Sequence, residues 1–210
     1  MTGNPPLVRL PKHASYRGLL GEQAWRRLHR DIRKRFDHDQ PQQSIRYQGF
    51  MDEVGMSTIG LVLAQACRLI GTPLALHRGH NIATVVDVYP NKTLNGMTWD
   101  RLYQFPNKAP NRVSSTKCIQ SEAGLIEVVG CGFGMSLSIS EREGAIVFES
   151  TAFFCKLKGL KVALPNWLTP GRTTVKQTAL DNGEFRFDLE VVHTFLGRMF
   201  WQSGVFKAQP

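Results

Sequence analysis

The apolar period of this chain changes once, and that change restricts the fold more than any other feature. From Leu76 onward apolar and polar residues alternate with a period of two, as in strands, and the pattern holds to the C-terminus. The runs are Ala83–Tyr89, Met97–Phe105, Arg112–Gln120, Leu125–Gly130, Met135–Ser140, Ala145–Leu157, Thr173–Leu180, Glu184–His193 and Met199–Phe206. Tight turns separate them. Asn95-Gly96 and Asp181-Asn182-Gly183 are hairpin signals, and Glu141-Arg142-Glu143-Gly144 is a third turn. Residues 158–172, with Gly159, Pro165, Pro170 and Gly171, read as a loop. No helices alternate with these strands, so a parallel sheet is excluded. An antiparallel sheet of about nine strands curls or closes to remove its edges.

The helices come before this region. Residues 1–18 hold Pro5, Pro6 and Pro11 and read as an irregular lead-in to one domain spanning 19–210. Between Gly21 and Phe36, the residues Trp25, Leu28, Ile32 and Phe36 form an apolar stripe at helical spacing, opposite Arg26, Arg27, Arg30, Arg33 and Lys34. A polar linker over 37–44 leads to a short strand, Ile45–Met51. A second helix starts at a Ser57 or Thr58 cap and ends near Ile70, before Gly71 and Pro73. It is apolar on nearly every side, which predicts enclosure by other elements. Its apolar stretch, Ile59–Ile70, is far short of the roughly 20 residues of a bilayer span. The expected fold is therefore α+β: a strongly curved antiparallel sheet or barrel of about nine strands, the apolar helix in its concave face, and a basic amphipathic helix at the N-terminus.

Cys67, Cys118, Cys131 and Cys155 form no C-x-x-C and no zinc spacing, and read as buried reduced thiols. The first residues lack the charged and apolar segments of a secretory leader, so a cytoplasmic location is expected. The net charge of +9 favours anionic partners. Aromatics interleaved with basic residues in the manner of an RNA-binding signature are absent, so nucleic acid is not expected.

In a strand, Met97, Trp99, Arg101, Tyr103 and Phe105 share one face. An arginine among such side chains must be paired if that face turns inward. Its partner is either a protein carboxylate, with Glu127 and Glu149 the candidates, or the acidic group of a ligand. An inward carboxylate beside an arginine is also how a general acid or base would be built. Gly130-Cys131-Gly132-Phe133-Gly134 precedes a strand and not a helix, so it reads as a bend and not a phosphate loop. His77 and His80 lack a nearby carboxylate, and no metal is expected. Ser114 and Ser115 lack a nucleophile elbow.

Five features in order resemble a bacterial family known as domain of unknown function 4166. They are Leu20-Gly21 with Leu28-His29; Tyr47-Gln48-Gly49 before the helix ending Gly71-Thr72-Pro73; Trp99-Asp100-Arg101; Leu164-Pro165 with Leu168-Thr169-Pro170; and Gly183-Glu184-Phe185-Arg186-Phe187-Asp188. Phe200-Trp201-Gln202-Ser203-Gly204 is similar to its last strand. The resemblance implies a domain often fused to saccharopine-dehydrogenase-like or epimerase-like reductases. It departs from the family at Leu102-Tyr103 and at Val175-Lys176-Gln177, where a family glutamate is missing. It implies a fold and a set of positions, without a reaction and without a cofactor.

The functional expectation is a cavity that binds a small, largely apolar acid, held by Arg101 and walled by Trp99, Tyr103 and Trp201. The alternatives are an enzyme using Glu127 or Glu149, and a domain docking an anionic membrane or acidic protein through Arg26, Arg30 and Arg33.

Overall fold

A computed structural model of the chain describes residues 15–37, 44–71, 74–120, 123–157 and 160–210. Most of the expected lead-in and of the 37–44 linker lies outside these residues. Three short helices, α1 (Tyr16–Leu20), α2 (Glu22–Arg27) and α3 (Arg30–Phe36), precede β1 (Ile45–Met56). Then come α4 (Thr58–Ala66) with a 3₁₀ turn, β2 (Gly79–Asn91), β3 (Gly96–Gln104), β4 (Asn111–Gln120), β5 (Gly124–Gly130) and β6 (Phe133–Arg142). The chain continues through β7 (Ala145–Leu157), β8 (Leu160–Leu164), β9 (Arg172–Ala179), β10 (Glu184–His193) and β11 (Gly197–Ala208).

All strand pairs are antiparallel. β1 to β6 form a meander, β6 pairs with β7, the first half of β7 pairs with β9, and β9, β10 and β11 lead back to β1. Ten strands thus close a barrel, and the expected curved sheet is borne out. β8, which falls inside the expected 158–172 loop, instead pairs with the second half of β7 beyond the barrel wall. The sequence reading missed it because Gly159 and Pro165 bracket only five residues. Bulges at Asp52 on β1, and at Thr151 on β7 opposite Ser136 and Leu137, bend the wall where it must turn. Asn95 and Asn182 take positive φ in the two turns that their Asn-Gly pairs predict.

The interior is filled from one end by the N-terminal segment. Trp25, Leu28, Ile32 and Phe36 are all buried in the main core, as their spacing predicts. The single helix expected over 21–36 is broken, however. Leu28 and His29 take extended dihedrals, and the His29 N–H donates to Gly144 O in the β6–β7 turn. Arg27 reaches Glu141, at the end of β6 beside that turn, at 2.6 Å. Tertiary contacts therefore override helical continuity where the chain crosses the barrel rim.

The apolar helix α4 is less enclosed than its composition predicts. It packs through Gly60 and Ala64 beside the start of β11, while Ile59, Val62 and, just beyond it, Leu69 are exposed. A Cβ on Gly60 would lie 2.0 Å from Met199 O, so the helix sits directly on the strand backbone. The thiols are free, but Cys131 is exposed in a left-handed turn position and Cys67 is half-buried, which corrects the expectation that all four are buried. No helix among the described residues is long and apolar enough to cross a membrane.

Candidate functional site

The inward faces of eight strands and the tip of α3 meet in one cavity. It is lined by Arg35, Phe36, Tyr47, Met51, Val86, Trp99, Arg101, Lys117, Phe148, Val175, Gln177, Phe185, Phe187 and Phe206. The space left between the rings is small, about 20 Å³, close to the room one water molecule needs, so the interior is nearly filled by its own side chains.

Three cations enter this aromatic space against one carboxylate. Lys117 lies on the inward face of β4 with Val113, Ser115 and Ile119. Its Nζ is 3.0 Å from Glu127 Oε1 on β5 and 4.7 Å from the Trp99 ring, and both members of the pair are buried. Burial alone would raise the Glu127 pKa, but Lys117, Arg101 and the Ser115 hydroxyl hold the carboxyl below its usual range. Burial likewise pulls Lys117 down, with Glu127 opposing. Glu127 is therefore committed to Lys117.

Arg101 stands on the inward face of β3, where alternation places it. It donates to Ser115 Oγ at 3.4 Å and lies 5.8 Å from the Phe187 ring. It makes no salt bridge to a described carboxylate. Arg35, at the end of α3, stacks 3.2 Å from the centroid of the Phe185 ring and 4.7 Å from that of Tyr47. Its Nε and Nη1 are buried without an acceptor among the described residues. Burial pushes its guanidinium down to about 10, with Tyr47 offsetting part of the effect. Phe185 and Phe187 are two residues apart on β10, about 7 Å. The two guanidiniums therefore lie over neighbouring rings. The Gln177 amide oxygen is also buried without a donor.

The other expected site residues separate. Tyr103 is buried and donates to Gln202 Oε1 at 3.0 Å, beside and not within the cavity lining. Trp201 lies on the outer face of β11, across Gly55. Its Nε1 donates to Glu53 Oε1 at 2.7 Å, and Arg198 sits 4.5 Å above its ring. Phe200, Gln202, Gly204 and Phe206 take the inward positions of that strand. Glu149 is also outside the barrel, between Arg142 at 3.0 Å and Arg172 at 2.9 Å. Arg26 and Arg30 are exposed but interleaved with acids. Arg26 pairs with Glu22 at 2.9 Å and Arg30 with Asp31 at 3.6 Å, while Arg33 lines the same shallow cleft. His77 packs edge-on against Phe105 and His80 is exposed; among the described residues no group of three metal-binding side chains gathers.

Sequence reasoning missed Arg35, Lys117 and Gln177. The signals were present. Lys117 is in phase with Val113 and Ile119, Gln177 with Val175, and Arg35 lies three residues after Ile32 on the buried stripe.

These features define a class: a closed antiparallel β-barrel, plugged at one end by N-terminal helices, with an aromatic interior that holds more cations than carboxylates. The chain belongs to the family described as domain of unknown function DUF4166, whose profile matches residues 28–206. No curated protein and no solved structure gives a significant match.

Proposed function

We propose that the barrel is a binding module for a compact, largely apolar acid, whose anionic group sits between Arg35 and Arg101. The observation that carries this reading is Arg35, whose guanidinium enters an aromatic cavity with two buried N–H groups that find no acceptor among the described residues. An unpaired buried charge is costly, and a carboxylate or phosphate supplies what it lacks. The rings of Trp99, Phe148, Phe185 and Phe187 suit a flat apolar body, and the orphan oxygen of Gln177 suits a hydroxyl or N–H on it. Any ligand larger than water requires the rings to part, which favours a compact acid over a long acyl chain. A catalytic reading is weaker, because Glu127 is held by Lys117 and Glu149 lies outside the barrel.

The test is mass spectrometry of ligands released from the purified protein, followed by titration with aryl carboxylates and inorganic phosphate. Arg35→Met and Arg101→Met should each weaken binding roughly 10- to 100-fold, the worth of a charge-assisted hydrogen bond. Trp201→Phe, on the outer wall, should leave it unchanged. Absence of any bound acid, or affinities untouched by both arginine substitutions, overturns the proposal.

A further inference from the structure

In an antiparallel barrel every second connection emerges at the same end, and here the two ends differ in kind. The described residues of the connections at the α4 end are 57–71, 74–78, 105–110, 131–132, 160–171 and 194–196. Their contacts gather them. Leu76 N–H donates to Asn111 Oδ1, and His77 packs on Phe105. A Cβ on Gly71 would touch Gly130, and one on Gly171 would meet Val192 O. None of these residues is an aspartate or glutamate, although they include Arg68, Arg78, Lys108 and Lys161. Lys156 stands at the adjoining end of β7. The opposite connections carry Glu143 and Asp181, and the helices that plug that end carry Glu22 and Asp31, with Asp37 capping the last of them.

The large apolar side chains that the fold leaves exposed concentrate at this same end, where Glu53 and Glu190 on the adjoining strands are engaged by Trp201 and Arg198. Leu69 is 88% exposed, Phe195 80%, Trp167 68% and Val62 65%. Ile59, Leu160, Leu168 and Leu196 join them. They come from separate elements: α4 and its 3₁₀ turn, β8, the turn before β9, and the β10–β11 turn. Arg68, Lys108, Lys156 and Lys161 form no ion pair with a described carboxylate.

We infer that this end of the barrel docks on an anionic lipid bilayer. Several separate apolar tips can each enter the interfacial layer, whereas a protein partner calls for one continuous complementary face. A tryptophan suits that layer. Basic residues around the tips, without intervening acids, match a negatively charged surface. The basic face of α2 and α3, by contrast, has its arginines partly neutralised by Glu22 and Asp31.

The full chain should float with vesicles containing phosphatidylglycerol and not with pure phosphatidylcholine, and added salt should weaken the association. Lys156→Glu with Lys161→Glu should reduce partitioning on the order of 30-fold or more, from the worth of a cation near such a surface. Leu69→Ser with Phe195→Ser should reduce it as well, and Arg26→Glu with Arg30→Glu should not. Quenching of Trp167 emission by bromine-labelled lipid needs no variant and reads insertion directly, since Trp25 and Trp99 are buried and Trp201 lies on the side wall. Three outcomes overturn the inference: no flotation of the unaltered chain, loss only with the Arg26 and Arg30 variant, or self-association that Leu69→Ser with Phe195→Ser dissolves in the absence of any vesicle binding.

Discussion

At the scale of single residues, charge inside the barrel sets the strongest expectations. Lys117→Met leaves Glu127 buried without its cation and should cost about 3–5 kcal/mol in urea unfolding. Glu127→Gln added to it should return much of that loss, because apolar or neutral replacements of a buried pair are often tolerated. A double variant no more stable than the single one would mean that the two residues act separately. Arg35 should behave in the opposite sense. Its guanidinium is buried over Phe185 without a carboxylate among the described residues, so Arg35→Met should raise the stability of the ligand-free protein, by about 1–4 kcal/mol where the replacement packs well. A lower melting temperature without ligand would show that the stacking on Phe185 outweighs the cost of the buried charge. Strand alternation was enough to place Arg101 inward. It did not separate Phe200 from Trp201, because both are aromatic and the inward position is fixed only by pairing with β1 and β10.

At the scale of elements, close backbone approach decides how the pieces sit together. Gly60 lies within α4, where alanine has the better helix propensity by roughly 1 kcal/mol. A Cβ there would nevertheless press on Met199 O at 2.0 Å, and a strand backbone cannot rotate away as a side chain can. Gly60→Ala should therefore destabilise the protein by about 1–3 kcal/mol, the usual cost of overpacking. Calorimetry that found equal or higher stability would show α4 free to slide on β11. The same contact explains what was legible in α4. The Ser57 cap and the Gly71 stop were readable locally, and Ser57 Oγ does accept from Gly60 N–H at 3.0 Å. The exposure of Val62 and Leu69 was not, since composition cannot say that a helix lies on the rim and not in the bore. The break at Leu28–His29 was hidden for a similar reason. The apolar stripe continues in phase across it, and its cause is the distant Gly144 carbonyl.

At the scale of the whole molecule, titration of carboxylates held by cations governs the pH range over which the barrel persists. Glu127 has a folded pKa below its usual value, so it stabilises the fold above the unfolded carboxylate range, and that contribution is lost as pH falls through the lower folded value. Glu22, held at about 2 by hydrogen bonds from Arg17 and Arg26, and Asp87 and Glu141, lowered by Arg46 and by the Gly144 N–H and Arg27 respectively, shift stability in the same direction. Asp188, raised by burial, works against them, because deprotonation there costs the folded state. His77, lowered by burial and by Lys108 and Arg68, starts a shallow fall below the ordinary imidazole range, and with one carboxylate opposed to four the fall should steepen from about pH 4.5 downward, where the net charge of +9 also grows and adds self-repulsion. Urea midpoints measured across this range should show the fall. The variant carrying both Lys117→Met and Glu127→Gln should fall less steeply, since it lacks a carboxylate inside the barrel whose protonation the fold resists. Superimposable profiles for the variant and the parent would place the acid sensitivity on the exposed pairs of the N-terminal helices and outer wall, and would remove the Lys117–Glu127 pair as a determinant of acid stability.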